Sequence, residues 1–378
     1  MIYLDHAATS LPKSPLALKA IEESLLLGNP GRSGYSAAID SSRLIYESRL
    51  EIARLCNLED ESGVIFTSGA TEALNTAIFS CCKTDKKVNV ISSGLEHNAV
   101  VRPLRELEKT GSINWKIISE NDDSFYDSFK KEFNKGCDVV ILNHISNVSG
   151  RRLNIQKIIN MINKNAILIV DAAQSFGAEF IDIKGIDFLC SSAHKGLAAP
   201  MGIGFLIKNT EKSLNPILFG GTGSASESFE MPEYSPDRFE AGTPNLPGIA
   251  SVLAICKQLN KDNLDKKSQE LQKIRDYLFD HLSEISGINI IGPKVGGTAL
   301  SIAIPNQDIA LITHHLWKKE KICLRVGLHC SPLAHQNLDT FPNGTIRISP
   351  NHQTHQEEID VLIKALKETI NNKSKKSY

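Results

Sequence analysis

Lys195 stands in Ser192-Ala193-His194-Lys195-Gly196, between small residues and just beyond a short apolar run, Asp187 to Ser191. A lysine drawn out of water loses part of its preference for the ammonium form, and its free amine condenses with carbonyl groups. Taken alone, the same spacing fits a surface lysine. About two dozen residues earlier another run, Ile167 to Val170, ends in Asp171-Ala172-Ala173-Gln174 and sets a carboxylate at a strand tip. A Schiff-base lysine and a carboxylate that neutralises a cationic ring nitrogen are the two partners a pyridoxal phosphate ring needs. Two further strand ends are polar. Ser68-Gly69-Ala70-Thr71-Glu72 opens a helix after Val64 to Thr67, where free N–H groups and the helix dipole suit a phosphate or an ordinary cap. Glu96-His97 follows Val88 to Ser92, and by itself His97 reads as a structural residue. No metal site is expected. The eight cysteines (Cys56, Cys81, Cys82, Cys137, Cys190, Cys256, Cys323, Cys330) form no CxxC pair, and His314, His315, His329 and His335 lack ligand spacing.

The elements that must position these residues follow from the alternation of patterns. From about residue 60 to 210, short β-branched runs alternate with longer amphipathic stretches, the mark of βαβ units and a mostly parallel sheet. Six strands are expected: 64–67, 88–92, 139–143, 167–171, 187–191 and 203–207. Sheets of this kind bind ligands at the carboxyl ends of their strands. The stretch from Gly220 to Pro247, rich in Gly, Ser, Pro and Glu, reads as a long ordered loop or a functional crossing between domains. Helices are expected over Gly248 to Leu259 and Ser268 to Ile285, opening a second, α+β domain, and the tail Asn371 to Tyr378 is expected to fray. A chain of 378 residues exceeds one ordinary core. The expected division is a large domain, 15–247, and a small domain built from 1–14 and 248–378.

Composition narrows the partners. Hydrophobic residues at 41% and charged residues at 22% exclude a disordered chain, and a net charge of -1 gives no bulk attraction to nucleic acid or anionic lipid. The longest fully apolar run, Ala166 to Val170, falls far short of the ~20 residues that cross a bilayer. With no apolar segment behind a basic start in Met1 to Ser10, a cytoplasmic location is expected, with most cysteines buried and reduced.

Further motifs recur in a fixed order: YLDHAAT (Tyr3 to Thr9), TSGATEALN, EHNAV, HISNVSG, VDAAQS and SAHKG, then RFEAGTPN (Arg238 to Asn245), RVGLHCSPLAH (Arg325 to His335) and GTIRIS (Gly344 to Ser349). In this order, nearly end to end, the chain resembles the class V aminotransferase-type pyridoxal-phosphate enzymes, within the cysteine desulfurase and selenocysteine lyase family. The resemblance implies the fold type I architecture of pyridoxal-phosphate-dependent transferases: a large domain with a mostly parallel seven-stranded sheet, and a small α+β C-terminal domain. It implies that Lys195 holds pyridoxal 5'-phosphate and moves the substrate Cα proton, and that Asp171 keeps the ring nitrogen protonated. His97 would stack on the ring and Gln174 meet its hydroxyl, with Ala70, Thr71, Ser192 and His194 around the phosphate. Thr243 would reach a phosphate across a homodimer interface. Asn147 and Arg347 would clamp the substrate carboxylate, with Arg325 and Asn29 in the same pocket.

Cys330 would be the nucleophile. In the resembled desulfurases a loop cysteine takes the sulfur of L-cysteine as a persulfide and leaves alanine. A neighbour such as His329, or a nearby cation, is expected to lower the thiol pKa. The short loop implies restricted access and an acceptor protein or reductant for the sulfur. Two departures from the family pattern stand out: Ser331-Pro332-Leu333-Ala334-His335 after the cysteine, and Thr354-His355 where an Asn-Thr pair is usual. The alternative is a selenocysteine lyase, a cysteine sulfinate desulfinase or another class V reaction on a different amino acid, in which Cys330 is dispensable.

Overall fold

A run of β-branched and aliphatic residues becomes a buried strand when helices cover both of its faces, and that is how the middle of this chain folds. The computed structural model describes residues 1–31, 34–83, 86–119, 122–212 and 214–374. After β1 (Ile2–Tyr3) come the strands of one sheet: β2 (Val64–Thr67), β3 (Val88–Ser93), β4 (Ile113–Ile118), β5 (Val139–Asn143), β6 (Ile167–Asp171), β7 (Phe188–Ser192) and β8 (Gly204–Lys208). Their spatial order is β2-β8-β7-β6-β5-β3-β4. Only β8 runs against its neighbours; every other pair in this sheet is parallel. The expected mostly parallel seven-stranded sheet is what forms.

Side chains sort between the two faces with a period of two. Val140 and Leu142 of β5 and Leu168 and Val170 of β6 join one apolar cluster, with Ile52 and Ala53 of the helix Ser36–Cys56 and Phe125 and Phe129 of the helix Ser124–Phe133. Val139, Ile141 and Ile169 face the other way, onto Leu74 and Ile78 of the helix Ala70–Cys82 and Val100 and Leu104 of the helix Asn98–Lys109. The six expected strands are found to within a residue at each end. β4 was not among them. It pairs only with β3, and its exposed Asn114 and Lys116 break the apolar run by which the inner strands are recognised.

The second body holds β9 (Asn289–Ile291), β10 (Leu300–Ala303), β11 (Ile322–Cys323), β12 (Arg325–Gly327) and β13 (Thr345–Ile348). Four of these form an antiparallel sheet in the order β12-β13-β10-β9. Its apolar cluster joins Leu300, Ile302, Ile346 and Ile348 to residues of three helices: Lys261–Ser283, Ile309–Glu320 and Gln356–Ser374. β1 pairs in parallel with β11, and Leu4 belongs to the same cluster, so the N-terminus packs with the C-terminal body. The helix expected at 248–259 spans Leu246–Cys256 and packs elsewhere. Its Ile249, Val252 and Ile255 lie in a cluster of the large sheet, which puts this helix with the large body although the expected division fell at 247. The reason is physical: LPGIASVLAIC is apolar around nearly its whole circumference, the pattern of a helix enclosed by the core. Of the tail, 371–374 continue the last helix and 375–378 lie outside the described residues. Among the described residues no helix is long and apolar enough to cross a membrane.

Candidate active site

The carboxyl ends of β2, β3, β5, β6 and β7 converge on a cavity of about 400 Å3, whose far wall comes from β12, β13 and the loop after β12. Asp171 is the last residue of β6 and Ser192 the last of β7, so the strand register itself brings the aspartate and the Lys195 turn side by side. Asp171 is buried, and one of its oxygens accepts from Ala173 N at 2.9 Å. Burial pushes its carboxyl pKa up, against the pull of that N–H and of the Lys195 charge. Lys195 shows the reverse. Burial lowers its amine from the ordinary 10.5 to about 8; Asp171 opposes the shift, while Arg347 and Arg325 add to it. The lysine is thus the desolvated amine that its small neighbours suggest.

His97 caps the helix Asn98–Lys109, its Nδ1 accepting from Ala99 N at 3.0 Å. Burial, then the charges of Lys195, Arg325, Arg347 and Arg102, hold it down to about 4. The ring is therefore neutral at pH 7, with its proton on Nε2. His194 is likewise held to about 4, by burial and then by Lys195 and Lys13. Its Nδ1 lies 3.0 Å from Thr9 Oγ1, which also accepts from Lys13 Nζ at 2.9 Å. Gln174 donates to Ala7 O at 2.9 Å, which ties the cavity to the N-terminal segment.

The donor set on this side fits a phosphorylated, cationic ring. Ser192 Oγ is buried without a hydrogen-bond partner, and the helix Ala70–Cys82 starts at Gly69 with no side-chain cap, leaving the Ala70 and Thr71 amides free for an anion. Ala70, Thr71, Ser192 and His194 all line the cavity with Lys195. Asp171 adds a buried carboxylate to the same cavity.

On the opposite wall Arg347, in β13, spends one nitrogen on Asp5 Oδ1 (2.8 Å) and another on Asn147 O (3.1 Å), while its Nε is buried without a partner. Asn147 is tied to the loop that follows β12: its Nδ2 donates to His329 O, and its Oδ1 accepts from Ser331 Oγ, both at 2.9 Å. Cys330, between those two residues, is the exposed cysteine of the chain; the other seven are buried or half-buried. Burial pushes the Cys56, Cys82 and Cys137 thiols up to about 12. Arg325 Nη2 lies 3.6 Å from Cys330 Sγ. His329 does not supply the cation. It is buried against Thr345 Oγ1 at 3.0 Å, and burial together with Arg347 holds it neutral, near 2. The guanidinium of Arg325 is the cation beside the sulfur.

Two expected site residues stay apart. Thr243 and Asn29 are exposed and line no part of the Lys195 cavity; Thr243 borders a neighbouring one that shares Ser68 and Gly202 with it. Three groups near the site had no assigned role in the sequence. Thr9 and Lys13 fix His194 from the N-terminal segment; the YLDHAAT run was a signal for Thr9 alone. Glu96 is fully buried, accepts from Ser93 Oγ and Asn143 N on one oxygen, and is pushed by burial up to about 8. It is a neutral acid at pH 7. In RFEAG, Glu240 makes a half-buried ion pair with Arg49 at 2.6 Å and accepts from Phe66 N, anchoring the long loop beside β2.

Residues 2–362 match the model of the aminotransferase class-V family. The chain belongs to that family. Among class-V relatives, a protein of Vibrio cholerae described as a probable cysteine desulfurase is 30% identical over 98% of this chain and 94% of its own. One of Methanothermobacter thermautotrophicus with the same description is 29% identical over 97% and 94%. The apo structure of a cysteine desulfurase from Thermococcus onnurineus NA1 superposes with a TM-score of 0.90 at 26% identity, covering 98% of this chain and 95% of that one.

Proposed function

We propose that the chain is a cysteine desulfurase dependent on pyridoxal 5'-phosphate, which takes the sulfur of L-cysteine onto Cys330 and releases L-alanine. One observation carries the reading: the exposed cysteine lines the same cavity as Lys195, with a guanidinium nitrogen 3.6 Å from its sulfur. The relatives described as cysteine desulfurases support it. Lys195, Asp171, His97 and Gln174 would hold the cofactor ring, and Ser192, His194 and the Ala70 and Thr71 amides its phosphate. When bound, the cofactor supplies a sink for negative charge at the substrate Cα.

The protein groups account for the remaining chemistry. Lys195, with an amine near 8, takes the substrate Cα proton and returns one later. The free Nε of Arg347 and the second N–H of Asn147 orient the substrate carboxylate. With Arg325 Nη2 3.6 Å from its sulfur, Cys330 attacks the substrate sulfur as the thiolate. An S–S bond forms as the substrate Cβ–S bond breaks; the electron pair stays with carbon, and a proton on that carbon completes alanine. The persulfide then passes its outer sulfur to a thiol reductant or an acceptor protein.

A homodimer fits the same reading. Phe219, Phe229 and Tyr234 of the long loop are exposed apolar side chains, as are Leu25 and Leu26 near Asn29, and a second copy would cover such a surface. Thr243 and Asn29, outside their own cavity, would then act across the interface. Eight free cysteines suit a reducing, cytoplasmic setting. The test is alanine and sulfide release from L-cysteine with a thiol reductant, comparing the holoenzyme with Cys330→Ala. Loss of release in the variant alone is the expected result. Equal release by both means that Cys330 is not the nucleophile, and no release by either with cofactor bound means that the substrate is another amino acid.

A further inference from the structure

We infer that Ser331 is a positioning residue that fixes Cys330 through the side chain of Asn147, an inference that rests on Cys330 being the nucleophile proposed above. Ser331 is fully buried, and its hydroxyl donates to Asn147 Oδ1 at 2.9 Å. The other end of the same amide donates to His329 O at 2.9 Å. One side chain thus grips the residues on both sides of the cysteine. The amide can face only one way, because turning it over would set Oδ1 against the His329 carbonyl, acceptor against acceptor.

The grip matters because of the backbone it holds. His329 and Cys330 have φ of +49° and +59°, two successive non-glycine residues in the left-handed region. Such a pair persists only where its surroundings over-determine it. Asn98 N donates to Cys330 O and Ser331 N to Leu328 O, each at 2.8 Å, but these backbone bonds leave the side-chain tie as the device that this sequence supplies.

The clamp joins the two bodies at the point of chemistry. Asn147 follows β5 of the large sheet, and residues 329–331 follow β12 of the small one. Lys195 moves a proton from one side and Cys330 attacks from the other, so their separation must be held to a fraction of an ångström. Cys330 also borders an outer groove of about 470 Å3, with Phe79 and Arg102 on its walls. A sulfur locked between cavity and groove can be loaded from one and relieved through the other without a swinging loop.

The test uses Ser331→Ala holoenzyme with two readouts. Alanine release from L-cysteine is expected to fall in kcat by about 10–100-fold, with KM changed by less than about threefold. Deuterium uptake at the Cα of L-alanine in D2O, which needs Lys195 and the cofactor but not Cys330, is expected to stay within about twofold, while amide exchange over residues 327–333 speeds up. An unchanged kcat, or a parallel fall in Cα exchange, overturns the inference. A coupling measurement guards against a misfolded single variant: Ser331→Ala added to Asn147→Ala is expected to cost little beyond Asn147→Ala alone, and fully additive losses also overturn it. Cys330→Ala in the same assays keeps the two ideas apart. If it still desulfurates, the nucleophile assignment has failed, whereas an intact assignment with an indifferent Ser331 removes only the clamp.

Discussion

The cavity has two walls, built on different principles. On the strand-tip wall, Asp171, Ser192, Lys195 and His97 are placed by regular secondary structure, and burial has shifted three of them toward neutrality: Lys195 down to about 8, His97 down to about 4 and the Asp171 carboxyl upward. On the loop wall, Cys330 is exposed and sits in left-handed backbone, its carbonyl accepting from Asn98 N and its neighbours His329 and Ser331 bonded to Asn147, with Arg325 beside its sulfur. A proton-transfer amine needs desolvation, which a sheet core provides without added devices. A nucleophilic thiolate that must be reached from outside needs a cation and a brace.

The largest effect expected from this contrast is at Lys195. Lys195→Ala should lower turnover by at least about 10³–10⁴-fold, since among the described residues no other lysine lines the cavity. Its fold should not suffer. The ammonium is disfavoured by burial, so thermal unfolding of the variant apoprotein is expected at or above the wild-type midpoint near pH 7. As pH rises from about 8 toward 10.5, the folded lysine is already deprotonated while the unfolded chain still binds the proton, so wild-type stability gains on the variant. A variant less stable than wild type throughout that window would mean that Lys195 is a structural cation, and the contrast between the walls would break.

Sequence legibility divides along the same line. The strands β5, β6 and β7 could be read because burial on both faces writes continuous apolar runs, and their tips then identified Asp171 and Lys195 by chemistry alone. The loop wall could not be read this way. Cys330, Arg325 and Arg347 lie on short strands and turns of the small body, and only the resemblance of RVGLHCSPLAH and GTIRIS singled them out. Which neighbour serves the sulfur depends on side-chain packing, and adjacency in sequence suggested His329, which turns inward to Thr345. Edge strand β4 escaped because its exposed Asn114 and Lys116 interrupt the apolar run, whereas the helix Leu246–Cys256 was expected as a helix and only its side of the division differs, its all-round apolar surface packing in the large body. Glu240 and Glu96 carry no signal of their own in the sequence; the fold half-buries one against Arg49 and buries the other completely.

Arg325 and His329 sharpen the loop side. Arg325→Ala should reduce desulfuration by about 10–100-fold and slow alkylation of Cys330 by iodoacetamide at pH 7, because the guanidinium 3.6 Å from the sulfur is gone. His329→Gln should alter alkylation by less than about threefold, as the imidazole it removes is neutral. The reverse ranking would return the role to the histidine and would mean that the loop turns over in solution.

Glu96 gives the smallest effect and tests the strand-tip wall as an apolar environment. Its folded pKa near 8 lies above the unfolded value near 4.5, so the folded protein binds the extra proton between those limits and loses stability as pH rises through them. Gln at this position can still accept from Ser93 Oγ and Asn143 N through its carbonyl oxygen while carrying no charge. Glu96→Gln should therefore stabilise the apoprotein by roughly 1–4 kcal/mol at pH 8 and by progressively less toward pH 4.5, read from denaturant midpoints across the range. A gain that does not vary with pH would mean that Glu96 titrates normally. The wall around Asp171 would then be wetter than its burial implies, and the low pKa of Lys195 would have to come from Arg347 and Arg325 alone.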